Sequence, residues 1–212
     1  MNEIAKLRAG LYKSISKLVD YPYDDDVKNM NDYLSYMISI AEQLEKRSDI
    51  YKGISGTAEN SRKLLKDIER LGNDHFQAEY VSTFELGQPT AACPLYSREY
   101  SPHSGKEDDL DVLNEITQIY EQYGLDSNNE TPDFLPVELE FAAFLITKEK
   151  DDKNQETYFK AQFDFIETHL LWVDDLYQHV KQKCRLAGYV DLIKTAADFI
   201  SMERMFLGPW KQ

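Results

Sequence analysis

Apolar positions recur along this chain with the period of a helix. Leu7, Leu11, Ile15 and Leu18 fall on one stripe at i, i+4, i+8 and i+11. Tyr21-Pro22 closes that helix, because proline pushes the residue before it out of the helical region. Asp24 to Asp26 place negative charge at the next N-terminus. Val27, Met30, Leu34, Met37 and Ile38 then carry a second helix to about Arg47. A third is expected from about Thr57 to Leu71. Asn73 or Asp74 can cap a fourth, with Phe76, Tyr80, Val81 and Phe84 on its apolar side.

The period then fails. The stretch "GQPTAACPLYSREYSPHSGKEDD" holds three prolines and two glycines. It predicts a loop over about 87–106, and its Cys93, Leu95, Tyr96 and Tyr100 favour an ordered one. Loops this long in compact domains are usually functional or disordered. Helical spacing resumes at about 107–124 and stops at Gly124, a good residue just past a helix end. In "TPDFLPVELEFAAFL", residues 131–145, Pro132 or Pro136 suits a first helical turn. Val137, Phe141, Phe144 and Leu145 share a face. The run "KEKDDKNQE" reads as a solvated turn, and further helices are expected at about 155–169, 172–185 and 188–206. Alternating strand patterns and hairpin dipeptides are missing. The expectation is one all-α, bundle-like domain of about eight to ten helices spanning 1–212, with the loop as a seam. Phe141, Phe144, Trp172 and Phe199 are assigned to its core.

Composition narrows the function. Hydrophobic residues make up 42% of the 212, enough for a real core. The net charge of −14 argues against nucleic acid as a partner, since phosphate binding needs clustered Lys and Arg. It equally disfavours an anionic membrane surface. An acidic chain suits a basic partner, although solubility alone would also explain the charge. No apolar run approaches the roughly 20 residues of a membrane span. The N-terminus lacks the h-region of a secretory signal, so a cytoplasmic location is expected.

Chemistry-bearing motifs are scarce. There is no Glu-x-x-His pair of a di-iron bundle, no phosphate-binding loop and no nucleophile elbow. His75 and Glu79 lie at i, i+4 and read as a surface pair rather than a metal site. Cys93 and Cys184 are far apart in sequence and suggest neither a disulfide framework nor zinc. Cys93 with His103, ten residues on, is a conceivable nucleophile pair with nothing to support it. Glu138 and Glu140 diverge on a helix and cannot share acid–base work. Asp133 stands at a helix start, where it is either a cap or a binding group. No catalytic residue, cofactor or metal is expected.

Several stretches nevertheless resemble one family. "LRAGLYKSISKLVDYP", "EYVSTFELG", "CPLYSREY", the lead "YEQYGL" into "TPDFLPVELEFAAFL", and "HLLWVDDLYQHV" occur in the order of the TorD/DmsD/NarJ family of redox-enzyme maturation chaperones. The resemblance runs from about residue 7 to 207. "CPLY" and the spacing are similar to the branch serving type II DMSO-reductase-like molybdoenzymes, which include chlorate and selenate reductases. The resemblance implies a TorD-like helical fold and a non-catalytic, system-specific cytoplasmic chaperone. Its partner would be the apo catalytic subunit of a DMSO-reductase-family molybdoenzyme, often bound at a twin-arginine leader. That subunit would be held until its molybdopterin guanine dinucleotide is inserted, so that export waits for assembly. Monomers or domain-swapped dimers fit the family. Guanine-nucleotide binding stays open, with no motif here in its favour. The competing expectations are a generic acidic helical adaptor and a small all-α metal-dependent enzyme.

The family's Pro-Asp-His is here Pro132-Asp133-Phe134, so no role of that histidine carries over. Thr83 replaces a leucine, and Ser97 stands where glutamate is frequent, with Glu99 two residues on. Recognition of a folded part of the client instead of a leader therefore remains open. The expected client-binding residues are Asp133, Pro132, Phe134, Glu138, Leu95, Tyr96, Glu99 and Tyr100, with Tyr80 and Phe84 from the preceding helix.

Overall fold

A computed structural model describes residues 2–87, 90–100, 109–126, 130–150 and 155–210. Its helices are α1 (Glu3–Val19), α2 (Asp24–Arg47), α3 (Ile54–Asn60), α4 (Lys63–Leu71), α5 (Asn73–Phe84), α6 (Asp109–Gln122), α7 (Leu135–Thr147), α8 (Gln155–His169), α9 (Val173–Lys183) and α10 (Ala187–Leu207). Among the described residues the only extended pairing is a single antiparallel bridge, Tyr96 to Phe134. The all-α expectation holds.

The predicted stripe of α1 is buried, and the helix packs between α2, α7 and α10. Its start is capped by Asn2, whose side-chain oxygen accepts from the Ala5 amide at 2.7 Å. The tripled aspartate opens α2 as expected, and Asp26 reaches back to the Tyr23 amide at 3.2 Å. One apolar cluster includes buried side chains from each of the ten helices.

The structure departs from the sequence reading in three places. The helix expected over 57–71 is two helices, broken at Ser61-Arg62. The break lets the first turn of α4 lie against Gly188 of α10, where a Cβ would stand 2.2 Å from the Leu64 amide nitrogen. Neither Asn73 nor Asp74 caps α5. A single residue, Gly72 at φ +73°, joins α4 to α5, so Asn73 is already inside the helix. The run at 148–156 is not simply solvated. Glu149 is buried and paired with Arg8, whose Nη1 donates to Oε1 at 2.8 Å. Residues 151–154 of that run lie outside the described ones.

Arg8 is the centre of a network that holds the ends of the chain together. Its Nε donates to Glu203 Oε1 at 2.8 Å and its Nη2 to Glu203 Oε2 at 2.8 Å. Nη2 also donates to Gln162 Oε1 at 2.7 Å, and the Tyr51 hydroxyl donates to Glu203 Oε1 at 2.6 Å. Every charged member is buried. A lone buried ion is prohibitively unfavourable, so the shared partners are what allow these charges inside.

Candidate functional site

The segment 95–100 lies zipped onto the residues that open α7. The Ser97 amide donates to the Asp133 carbonyl at 3.0 Å, and the Leu135 amide to the Leu95 carbonyl at 2.9 Å. A turn closed by the Phe134 amide on Thr131 O, 3.0 Å, delivers Phe134 as the cap residue of α7. No side chain caps this helix. Pro136 occupies the second helical position, where a missing N–H leaves no partner unsatisfied. Asp133 is therefore not the helix cap.

Its carboxylate turns instead to the loop. Oδ1 accepts from Arg98 Nη1 at 2.7 Å, and Oδ2 from the Arg98 amide at 3.2 Å. Asp133 is completely buried, whereas the Arg98 side chain keeps 21% of its surface exposed. Burial pushes the Asp133 carboxyl above its ordinary range, and the Arg98 charge pulls it part of the way back. The Arg98 guanidinium lies 4.7 Å over the Tyr96 ring, which itself packs 5.4 Å from Phe134.

One turn along α7, Glu138 is fully enclosed. Its Oε2 accepts from the Trp172 indole at 2.8 Å. Oε1 and the Ser97 hydroxyl lie close to one another without closing a hydrogen bond. Burial holds this carboxyl well above the usual range, and the nearby Asp133 charge acts in the same direction. Tyr100 stacks on Trp172 at 5.1 Å and touches His179 of α9 at 5.3 Å. From α6, the Tyr120 hydroxyl donates to the Pro132 carbonyl at 2.9 Å. Glu140 is exposed, so the divergence expected of Glu138 and Glu140 is observed.

Tyr80 and Phe84 stand elsewhere in the same neighbourhood. Both are core residues in an aromatic cluster with Tyr189, and the Tyr80 hydroxyl donates to the last carbonyl of α1, Val19, at 2.9 Å. Their helix meets the loop at Thr83, whose carbonyl accepts from the Cys93 amide at 2.8 Å. Outside this cluster a cleft of about 420 Å³ is lined by Tyr21, Gln77, Ala78, Val81 and Leu86. Tyr23 and Leu86 beside it are two-thirds exposed. Asp74 also lines the cleft. Asp20 and Glu85 interact with one another, both held above the ordinary carboxylate range by partial burial, and Asp20 raises Glu85 further.

Of the expected site residues, Asp133, Glu138, Leu95 and Tyr100 are brought together and buried with Ser97. Pro132, Phe134 and Tyr96 are half-buried at the surface above them, and Glu99 is exposed. Sequence reasoning missed Arg98 and Trp172. The core assignment holds for Phe141, Trp172 and Phe199, while Phe144 is half-buried beside a groove of about 480 Å³ with Lys13, Val137 and Glu140. Burial pushes the thiols of Cys93 and Cys184 up to about 11, which keeps both protonated at neutral pH. His103 lies outside the described residues. His75 is exposed, and among the described residues no three His, Cys, Asp or Glu side chains gather as metal ligands. No helix among them is long and apolar enough to cross a membrane.

Comparison with known proteins adds independent findings. The sequence model of a family described as nitrate reductase delta subunit matches residues 50–178. A chlorate reductase assembly chaperone protein of Ideonella dechloratans is 30% identical over 150 residues, which cover 67% of this chain and 75% of that protein. A selenate reductase assembly chaperone protein of Thauera selenatis is 32% identical over 107 residues, covering 47% of this chain and 54% of that one. Among solved structures, a candidate redox enzyme maturation protein from Archaeoglobus fulgidus aligns with a TM-score of 0.48 and 22% identity, over 98% of this chain and 95% of that one.

Proposed function

The chain belongs to the nitrate reductase delta subunit family, and from that premise we propose that it is an assembly chaperone. Its client is the apo catalytic subunit of a molybdopterin oxidoreductase of the DMSO reductase family. The observation that carries this reading is the identity to the chlorate reductase assembly chaperone across three-quarters of that protein. The selenate reductase chaperone supports the same client class. The chaperone acts in the cytoplasm and catalyses no reaction. It holds the client open for cofactor insertion and delays export, as a monomer or a domain-swapped dimer.

The surface suits that work. A net charge of −14 draws a basic segment in, and complementary fields mainly speed and orient encounter. The cleft beside Tyr21, Val81 and Leu86 offers apolar area, with Asp74 in its wall. The bridge at Tyr96 and Phe134 presents a second aromatic patch, flanked by Pro132 and Glu99. A twin-arginine leader, basic at one end and apolar after it, matches both features. The buried residues Asp133, Glu138, Leu95, Tyr100, Tyr80 and Phe84 hold this surface in shape.

The test is capture of the client. Tagged chaperone is drawn from cells that express respiratory molybdoenzymes, with and without molybdate, and its companions are identified by mass spectrometry. A cofactor-free catalytic subunit is expected, enriched when molybdate is withheld. Recovery of no redox subunit under inducing conditions overturns the proposal. Repeating the capture with a leader-deleted client decides whether the leader is the segment bound.

A further inference from the structure

Arg98 is held in the way that proteins hold an arginine belonging to something else. One guanidinium nitrogen meets a carboxylate at 2.7 Å, and the planar cation lies 4.7 Å over a tyrosine ring. Ion pairing and stacking together are the usual means of guanidinium recognition. The two partners differ in how they are fixed. Asp133 is buried at the head of α7, locked by backbone bonds on both sides. Arg98 enters from a short turn at the surface and keeps a fifth of its side chain in solvent.

Resting on the assembly role above, we propose that Asp133 and Tyr96 form a guanidinium site that Arg98 fills in the free chaperone, and that an arginine of the client takes over. Arg98 is then a competitor built into the chain. It keeps Asp133 from ever standing buried and unpaired, a state that is strongly destabilising. It also sets the affinity, because every client arginine must displace an equivalent cation. Release is the reverse exchange, so the chaperone lets go without an energy source.

The exchange is testable with two labelled synthetic peptides. One carries two adjacent arginines ahead of an apolar stretch, and its twin has both replaced by glutamine. Arg98→Ala should bind the arginine peptide about tenfold more tightly than the unaltered protein, with the glutamine twin unchanged. Asp133→Asn should weaken the arginine peptide by a similar factor. Should Arg98→Ala fold poorly, the unaltered protein still answers. Its Arg98 Nε–H resonance, assigned by its loss in Arg98→Lys, should move to the free-arginine position when the arginine peptide is added. Equal or weaker binding by a folded Arg98→Ala, an equal gain for both peptides, no binding of the arginine peptide, or an unmoved Arg98 resonance at saturation each overturns the exchange. The assembly role can survive that failure, because client capture is measured separately.

Discussion

Glu138 has two carboxyl oxygens, one firm hydrogen bond and no solvent. Burial raises its folded value well above the roughly 4.3 expected in an unfolded chain. Between those two values the folded state binds the extra proton. The stability this supplies is therefore complete below the unfolded value and is lost as pH rises through the folded one. Glu138→Gln keeps an acceptor for Trp172 and removes the titration. Its melting temperature should gain on the unaltered protein as pH rises above the ordinary carboxylate range, followed by scanning calorimetry. A constant difference over that rise would mean that Glu138 titrates as an ordinary surface acid. The sequence marked Asp133 and Glu138 as notable through their motif, but it could not show what either touches. Arg98 is 35 residues from Asp133, and Trp172 is 34 from Glu138. Neither partner sits at a helical or strand spacing, so no local pattern predicts the pairing.

At the scale of elements, local periodicity performed well where one face of a helix does all the burying. It found α1, α2 and α10 within a few residues. It merged α3 with α4 because Ala58 and Leu64 are both apolar, and the reason for the break lies on a distant helix. Gly188 is that reason: its amide also donates to Asp67 Oδ2 at 2.8 Å, which locks the first turn of α10 to α4. Gly188→Ala must push backbone apart, and overpacking of this kind typically loses about 1–3 kcal/mol. For a chain of this size that is a drop of roughly 2–12 °C in melting temperature. Gly208→Ala is the control, since no atom stands within 4 Å of its absent Cβ. Similar melting for both variants would show that α10 and α4 can separate slightly without penalty.

At the scale of the molecule, the Arg8 network joins α1, the 49–51 turn, the 148–150 turn, α8 and α10. A signal for it was present. Arg8 lies at i−3, i−4 and i−7 from Leu11, Tyr12 and Ile15, on the buried face of its own helix. An arginine there needs buried anions, though the sequence could not say which ones. Arg8→Met strands Glu203 and Glu149, and losing one partner of a buried pair typically costs about 3–5 kcal/mol. The expected fall in melting temperature is roughly 6–20 °C. Arg8→Met with Glu203→Leu should recover part of it, and a double-mutant cycle measures how much. If both variants fall equally, packing by the long Arg8 side chain over Phe206, 4.4 Å away, carries the effect instead. If the client segment is basic, as proposed above, association should also slow as salt rises, because a −14 chain would meet it through screened fields.

Arg8 and Glu203 are separated by 195 residues, so during synthesis the first helix is made long before its counter-charge exists. A growing chain cannot close this core early. While the polypeptide is still being threaded out, Arg8 stays in water and α1 lacks the helix that encloses it. Closure of the network around Arg8 thus waits for α10, which is made after α1 to α9. The charge at Arg8 stays hydrated through most of the synthesis of α1 to α9, and its burial waits for the helix that carries Glu203.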